Sequence, residues 1–243
     1  METFAQSIHQ RLDHVLSEIN QAARAAGRRP DEVRLVVVTK AQPVEVVRAA
    51  IEAGACLLGE NYPEETVPKI QALSSVPEIA WHMIGHLQSR KAGLIAEHFD
   101  MLESLDSLHL AERLERLLAE RDRTLPVLLE VNVSGEQSKS GFAGWDEAQW
   151  DQLLPDFEQI LALPHLQVQG LMTMPPLFTE PEQSRPFFVR LRRLADHLGA
   201  RLGAGYFREL SMGTSVDYQV AVQEGATYVR IGTAIVGPRP AKK

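Results

Sequence analysis

The chain has 243 residues, 44% of them hydrophobic and 23% charged, and a formal net charge of −7. That is enough chain for one α/β barrel or layered domain. The acidic balance, with no dense Lys/Arg block, gives no electrostatic case for nucleic acid or an anionic membrane. A single cysteine, Cys56, excludes an internal disulfide; in the stretch AGACLLGEN it reads as a small buried residue of a strand.

Charges run through the first twenty positions, and neither an apolar signal core nor a span of ~20 apolar residues appears. A cytoplasmic location is therefore expected. Phe4, Ile8, Leu12, Val15, Leu16, Ile19 and Ala23 recur at three- and four-residue spacing. That pattern predicts an amphipathic helix within residues 1–30, closed by Gly27 with Pro30 just beyond. From residue 33 the chain alternates. Short β-branched runs fall at 33–39, 55–60, 79–84, 99–104, 126–133, 166–173, 208–212 and 227–235. Helix-like stretches fall at 43–53, 62–73, 87–97, 107–121, 145–161, 181–200 and 216–224.

Strands alternating with helices in this number predict a single α/β domain over residues 1–243, a (β/α)8 TIM barrel at 33–237 with an extra N-terminal helix. No G-x-G-x-x-G follows the first strand, as an open dinucleotide-binding sheet would require. Nor does a linker or low-complexity tract divide the chain. In such a barrel the chemistry sits where strands end and βα loops begin. The polar residues at those ends are Lys40, Asn61, His82, His86, Ser104, Asn132, Thr173, Ser211 to Ser215 and Arg230 to Thr233.

Of six lysines only Lys40 closes a strongly apolar run, LVVVTKAQP. Desolvation favours its neutral amine, the nucleophile that attacks an aldehyde or ketone. Three uses stay open: aldolase-type attack on a sugar carbonyl, a Schiff base with pyridoxal 5′-phosphate (PLP), or a packed stem with a solvated head. LSMGTSVDYQ and YVRIGTAIVG end the seventh and eighth strands, the usual phosphate loops of this barrel class. Their glycines let backbone N–H groups approach an anion, and a helix beginning near Ser215 would favour negative charge. Arg230 shares a strand face with Gly232 and points inward, where its acceptor is a pyridine nitrogen or an acidic side chain. His82 and His86 stand four residues apart, but the intervening Gly85 and the lack of HExxH or a cysteine partner argue against a metal.

VVVTKAQP, GENYPEE, WHMIGHLQSRK, EVNVSGEQSKSGF, GLMTMPP, LSMGTSVDYQVAV and VRIGTAIVG, in this order, resemble the pyridoxal phosphate homeostasis protein family (YggS/PROSC type). The resemblance covers about residues 33–237. It implies a fold-type III PLP barrel like the N-terminal domain of alanine racemase, with PLP held as an aldimine on Lys40. It further implies phosphate contacts from Ser211, Gly213, Gly232 and Thr233, Arg230 facing the pyridine nitrogen, and Asn61 and His82 lining the cofactor pocket. Lys139 matches a lysine proposed as a secondary PLP contact; without the resemblance it reads as a solvated loop lysine. The sequence departs from the family at Thr39, at Ala41-Gln42 and at Thr214, and none of these removes a covalent or phosphate contact.

An arginine cannot protonate a pyridine nitrogen, so the ring is a weak electron sink. The residues past 237 are too few for the second domain of a racemase. The expected function is therefore PLP binding, buffering and delivery without significant turnover. The partners would be PLP and apo PLP-dependent enzymes, with no nucleic acid, no membrane and a monomeric state. The alternatives are a PLP-dependent racemase-like enzyme and a cofactor-free Schiff-base aldolase.

Overall fold

Residues 4–76 and 78–239 are described by the computed structural model. The N-terminal stripe forms helix α1 (Phe4–Ala25), burying Ile8, Leu12, Val15, Ile19, Ala22 and Ala23 and leaving Phe4 and Leu16 exposed. Burying the four large side chains contributes roughly 6–12 kcal/mol before ordering entropy is subtracted. Gly27 at φ 69° ends the helix, with Arg28 N–H donating to the Ala23 carbonyl and Gly27 N–H to that of Arg24.

The strands are β1 (Arg34–Val38), β2 (Leu57–Glu60), β3 (Ala80–Met83), β4 (Met101–Leu105), β5 (Leu125–Asn132), β6 (Phe142–Ala143), β7 (Leu166–Met172), β8 (Glu209–Ser211) and β9 (Tyr228–Ile231). Hydrogen bonding runs in the order β4-β3-β2-β1-β9-β8-β7-β5, and β4 also pairs with β5, so these eight strands close. Every pairing is parallel, and β6 is a two-residue addition to the end of β5. Helices α2 (Val44–Glu52), α3 (Pro63–Ala72), α4 (Ala92–His98), α5 (Leu108–Ala119), α6 (Leu154–Leu161), α7 (Arg185–Leu202), α8 (Tyr218–Gln223) and α9 (Thr233–Val236) follow the strands. This is the (β/α)8 barrel with an extra N-terminal helix. Helix α1 lies against α2, α8 and α9 and is tied there by Arg11 Nε on the Ile235 carbonyl at 2.6 Å.

Three local expectations change. The final strand stops at Ile231 and not near 235, because the chain turns at Gly232 into the helical turn α9. The stretches 87–97, 145–161 and 181–200 each include a 3-10 segment followed by α4, α6 or α7. Pro155 and Pro186 stand in the first turns of α6 and α7, where a missing N–H costs nothing. Cys56 is exposed and not buried, because it precedes β2 on the connecting loop.

Most of the core lies between strands and helices. A separate cluster of Val36, Met101, Leu128, Met172 and Tyr228, with Leu57 against it, fills the barrel interior. These residues fix which face of each strand points inward. Among the described residues no helix is long and apolar enough to cross a membrane.

Candidate functional site

A strand alternates faces every residue. Two positions beyond the apolar interior layer, the same inward face therefore carries Val38, Glu103, Glu130 and Arg230, with Ser211 paired to inward Met172 and His82 paired to inward Met101. Charged and polar groups thus replace the apolar filling towards the strands' C-terminal ends. Lys40 continues the inward series Val36, Val38 just past β1.

Lys40 is half-buried on a turn completed by Ala41 at φ 57°. It lines a cleft of about 20 Å³ with Val38, Gln42, Gly232, Thr233, Val236, Gly237 and Arg239. Burial lowers the pKa of its amine, and the positive charges of Arg239 and Arg230 lower it further, against an opposing pull from Glu60. Beneath it lies a buried brace. Lys69 Nζ donates to Glu60 Oε1 at 2.6 Å and to the Thr39 carbonyl at 3.0 Å, and Thr39 Oγ1 donates to Glu60 Oε1 at 2.8 Å. Burial pushes the Glu60 carboxyl up, while Lys69 and Thr39 pull it back.

Arg230 is buried and donates to Ser211 Oγ, to the Thr173 carbonyl at 2.9 Å and to Met174 Sδ. Ser211 Oγ donates in turn to Glu103 Oε2 at 2.6 Å, and His82 Nδ1 lies 2.7 Å from Glu103 Oε1. Burial alone would raise the Glu103 carboxyl, but His82, Arg230 and Ser211 hold it below the ordinary carboxylate range. Of the two acceptors open to Arg230 from the sequence, the acidic side chain is present at 4.0 Å through Glu103. The Ser211 hydroxyl is committed to this network, so it stands inside the barrel rather than free at the rim.

Gly213 and Gly232 lie on the loops after β8 and β9. At φ 91° Gly213 occupies the left-handed region, and a Cβ there would stand 2.5 Å from the Ala221 Cβ. A Cβ on Gly232 would meet the Val38 carbonyl oxygen at 3.1 Å. Thr233 is exposed at the start of α9. Asp217 shapes the first loop, accepting from Thr214 N–H at 2.7 Å and from Ser184 Oγ at 2.7 Å. Helices α8 and α9 span only six and four residues, so an anion here would rely on N–H groups and hydroxyls rather than on a helix dipole.

Asn61, just past β2, has a buried Oδ1 with no hydrogen-bond partner among the described residues. Lys139 is not freely solvated. Its Nζ donates to the carbonyls of Met174 at 2.8 Å and Pro175 at 2.7 Å, strapping the loop after β5 to the loop after β7. His86 pairs with Asp106 at 2.9 Å on the rim. The strand-end hydroxyls of Ser104 and Thr173 are structural, bonding the carbonyls of Gly85 and Val131. Sequence reasoning did not single out Glu103, Glu130, Asp217 or the Glu60–Lys69 pair. The available signal was parity: Glu103 and Glu130 stand two residues after the interior Met101 and Leu128.

The family model for the alanine racemase N-terminal domain matches residues 10–240. A pyridoxal phosphate homeostasis protein of Pseudomonas aeruginosa is 42% identical over 240 residues, covering 98% of this chain and 97% of the relative. The chain belongs to the pyridoxal phosphate homeostasis protein family. Another member, from Vibrio alginolyticus, is 40% identical over 236 residues, 96% of this chain and 98% of the relative. Among solved structures, PipY of Synechococcus elongatus with PLP bound superposes on this member with a TM-score of 0.80 at 36% identity, covering 95% of this chain and all of that one. An alanine racemase of Clostridium difficile shares the fold, with a TM-score of 0.71 at 13% identity, covering 97% of this chain and 57% of that one.

Proposed function

We propose that this protein binds PLP in the barrel mouth through Lys40 and stores and releases it without turning over amino acids. The observation that carries the reading is a lysine of lowered pKa at the end of β1, beside the Gly232–Thr233 turn and with Arg230 behind it. The residues present fit the group. Gly213 and Gly232 pack closely against Ala221 and Val38, and the Gly232–Thr233 turn borders the Lys40 cleft, where its backbone could meet a phosphate. Thr233 adds a hydroxyl there, and Asn61 offers an unpartnered amide oxygen.

When bound, the cofactor supplies an aldehyde carbon that a neutral amine can attack. The chain's own residues would do the rest. Lys40 anchors, because burial and two arginines keep its amine deprotonated more readily than a free lysine's. Gly213, Gly232 and Thr233 would hold the phosphate. Arg230 would face the ring nitrogen as a donor that keeps its own proton, and the Glu103–His82–Ser211 network fixes the guanidinium in place. Arg230 keeps its proton, so it would not protonate the ring nitrogen, and electron withdrawal through the ring would be weak. The relatives are named for homeostasis, in keeping with storage.

The test is reconstitution with PLP followed by incubation with alanine in D₂O. The expected result is a band near ~420 nm after reconstitution, before the amino acid is added, and no deuterium at Cα afterwards. A protein that retains no PLP, or exchange at about 1 s⁻¹ or faster that depends on Lys40, would overturn the proposal.

A further inference from the structure

The inward polar layer holds two carboxylates and treats them differently. Glu103 is fully partnered by His82 and Ser211, with Arg230 at 4.0 Å. Glu130 faces the same space from β5, and its Oε2 is buried with no hydrogen-bond partner among the described residues. Burial pushes its carboxyl up to about 7, helped by the negative charge of Asp106 and opposed by Arg230, His86 and Lys139.

Each charge around Glu130 is already committed. Arg230, from β9, serves Ser211, Thr173 and Met174. Lys139, from the loop after β5, serves the Met174 and Pro175 carbonyls and pairs with Glu136 at 3.7 Å. His86 and Asp106, from the loops after β3 and β4, serve each other. On β7 the neighbour in register is Met172, which is uncharged. These charges act on Glu130 from a distance and none donates to its Oε2; a buried carboxylate oxygen without a donor is unfavourable, and an incoming ammonium would supply one.

We propose that Glu130 is the recognition and proton-accepting site for incoming primary amines, the class of compound that competes with Lys40 for a bound aldehyde. This rests on the PLP reading of the mouth. An amine reaches the protein as an ammonium ion, which has no free lone pair. At Glu130 the ammonium N–H bond breaks, the proton passes to the carboxylate, and the electron pair stays on the amine nitrogen. The product is a neutral amine and a neutral carboxyl group. An ordinary glutamate near 4.3 lies about six units below an alkyl ammonium near 10.4. A carboxyl at about 7 closes roughly half that gap, so far more of the bound amine is in its nucleophilic form. Glu103, held low, could not serve.

The experiment has two arms. In the first, PLP-loaded wild type, E130Q and Glu130→Asp are mixed with glycine at several concentrations. Cofactor released into the ultrafiltrate is followed from pH 5.5 to 8.5 (about 1.5 units either side of the carboxyl's value). Wild type should show a glycine-dependent rate that rises through about pH 7 and then levels as the carboxyl ionises. E130Q should lose that inflection and fall at least ~10-fold, and Glu130→Asp should restore an inflection. The second arm needs no cofactor and covers the case in which E130Q does not fold. Carboxyl ¹³C NMR of the PLP-free wild type should show one glutamate titrating near neutrality that moves on addition of methylammonium chloride. Failure to take up PLP overturns the functional reading. PLP uptake with E130Q release as fast and as pH-dependent as wild type, or no glutamate responding to methylammonium, overturns the role of Glu130 alone.

Discussion

Lys69→Met tests the brace beneath Lys40. The change removes an ammonium that makes two buried hydrogen bonds, at 2.6 Å to Glu60 and 3.0 Å to the Thr39 carbonyl. Glu60 would keep only the Thr39 hydroxyl, since its Oε2 has no partner among the described residues. Breaking a buried ion pair from one side costs about 3–5 kcal/mol. Holding a carboxyl of ordinary pKa ~4.3 neutral at pH 7 costs about 3.7 kcal/mol, which agrees. The pH dependence follows in sign. In the variant the folded-state pKa of Glu60 rises further above its unfolded value. The folded protein then binds the extra proton between those values, and stability falls as pH rises through that window. The deficit against wild type should therefore be largest near pH 7 and shrink towards about pH 4.5. Urea unfolding of both proteins at the two pH values measures this, and Glu60→Gln combined with Lys69→Met should recover more than half of the loss. A deficit under about 1 kcal/mol at pH 7, or one that does not shrink in acid, would mean that Lys69 does not hold the Glu60 charge.

Other consequences are as specific. Gly213→Ala forces a side chain into a φ of 91° and against Ala221; it should destabilise the protein by about 1–3 kcal/mol and abolish PLP retention, read by unfolding and absorbance. Ser211→Ala removes a hydroxyl shared by buried Arg230 and Glu103 and should cost about 1–3 kcal/mol in denaturant unfolding. Lys139→Ala releases the Met174 and Pro175 carbonyls; amide exchange should quicken in residues 134–141 and 174–180 while global stability changes by less than about 1 kcal/mol. Because the Lys40 amine is depressed, the initial rate of PLP uptake should level off below the ordinary lysine value of about 10.4 when measured against pH.

The barrel is legible in the sequence because its two periodicities are strong: β-branched runs in the strands and a 3.6-residue stripe in helices such as α1. Lys40 stands out for a local reason, an ammonium closing an apolar run, and the glycines at 213 and 232 for their place after the last two strands. What the sequence hides is pairwise. Ser104 looks like a mouth residue but bonds the Gly85 carbonyl. Glu103, its neighbour, points inward to His82 and Ser211, which come from strands far apart in the chain. Lys139 looks solvated until the loop after β7 folds back on it. Glu60 and Lys69 are nine residues apart, from a strand end and the following helix, and only packing brings them together. The strand stops at Ile231 because the chain turns at Gly232, although apolar residues resume at Ala234, Ile235 and Val236.

Lys40 should be the amine that holds PLP. Protein loaded with PLP, reduced with borohydride and digested, should carry the fixed cofactor on the peptide containing Lys40, and Lys40→Ala should carry none. Cofactor fixed on Lys69, Lys91 or Lys139 in the wild type, or fixation undiminished in Lys40→Ala, would assign PLP to another amine.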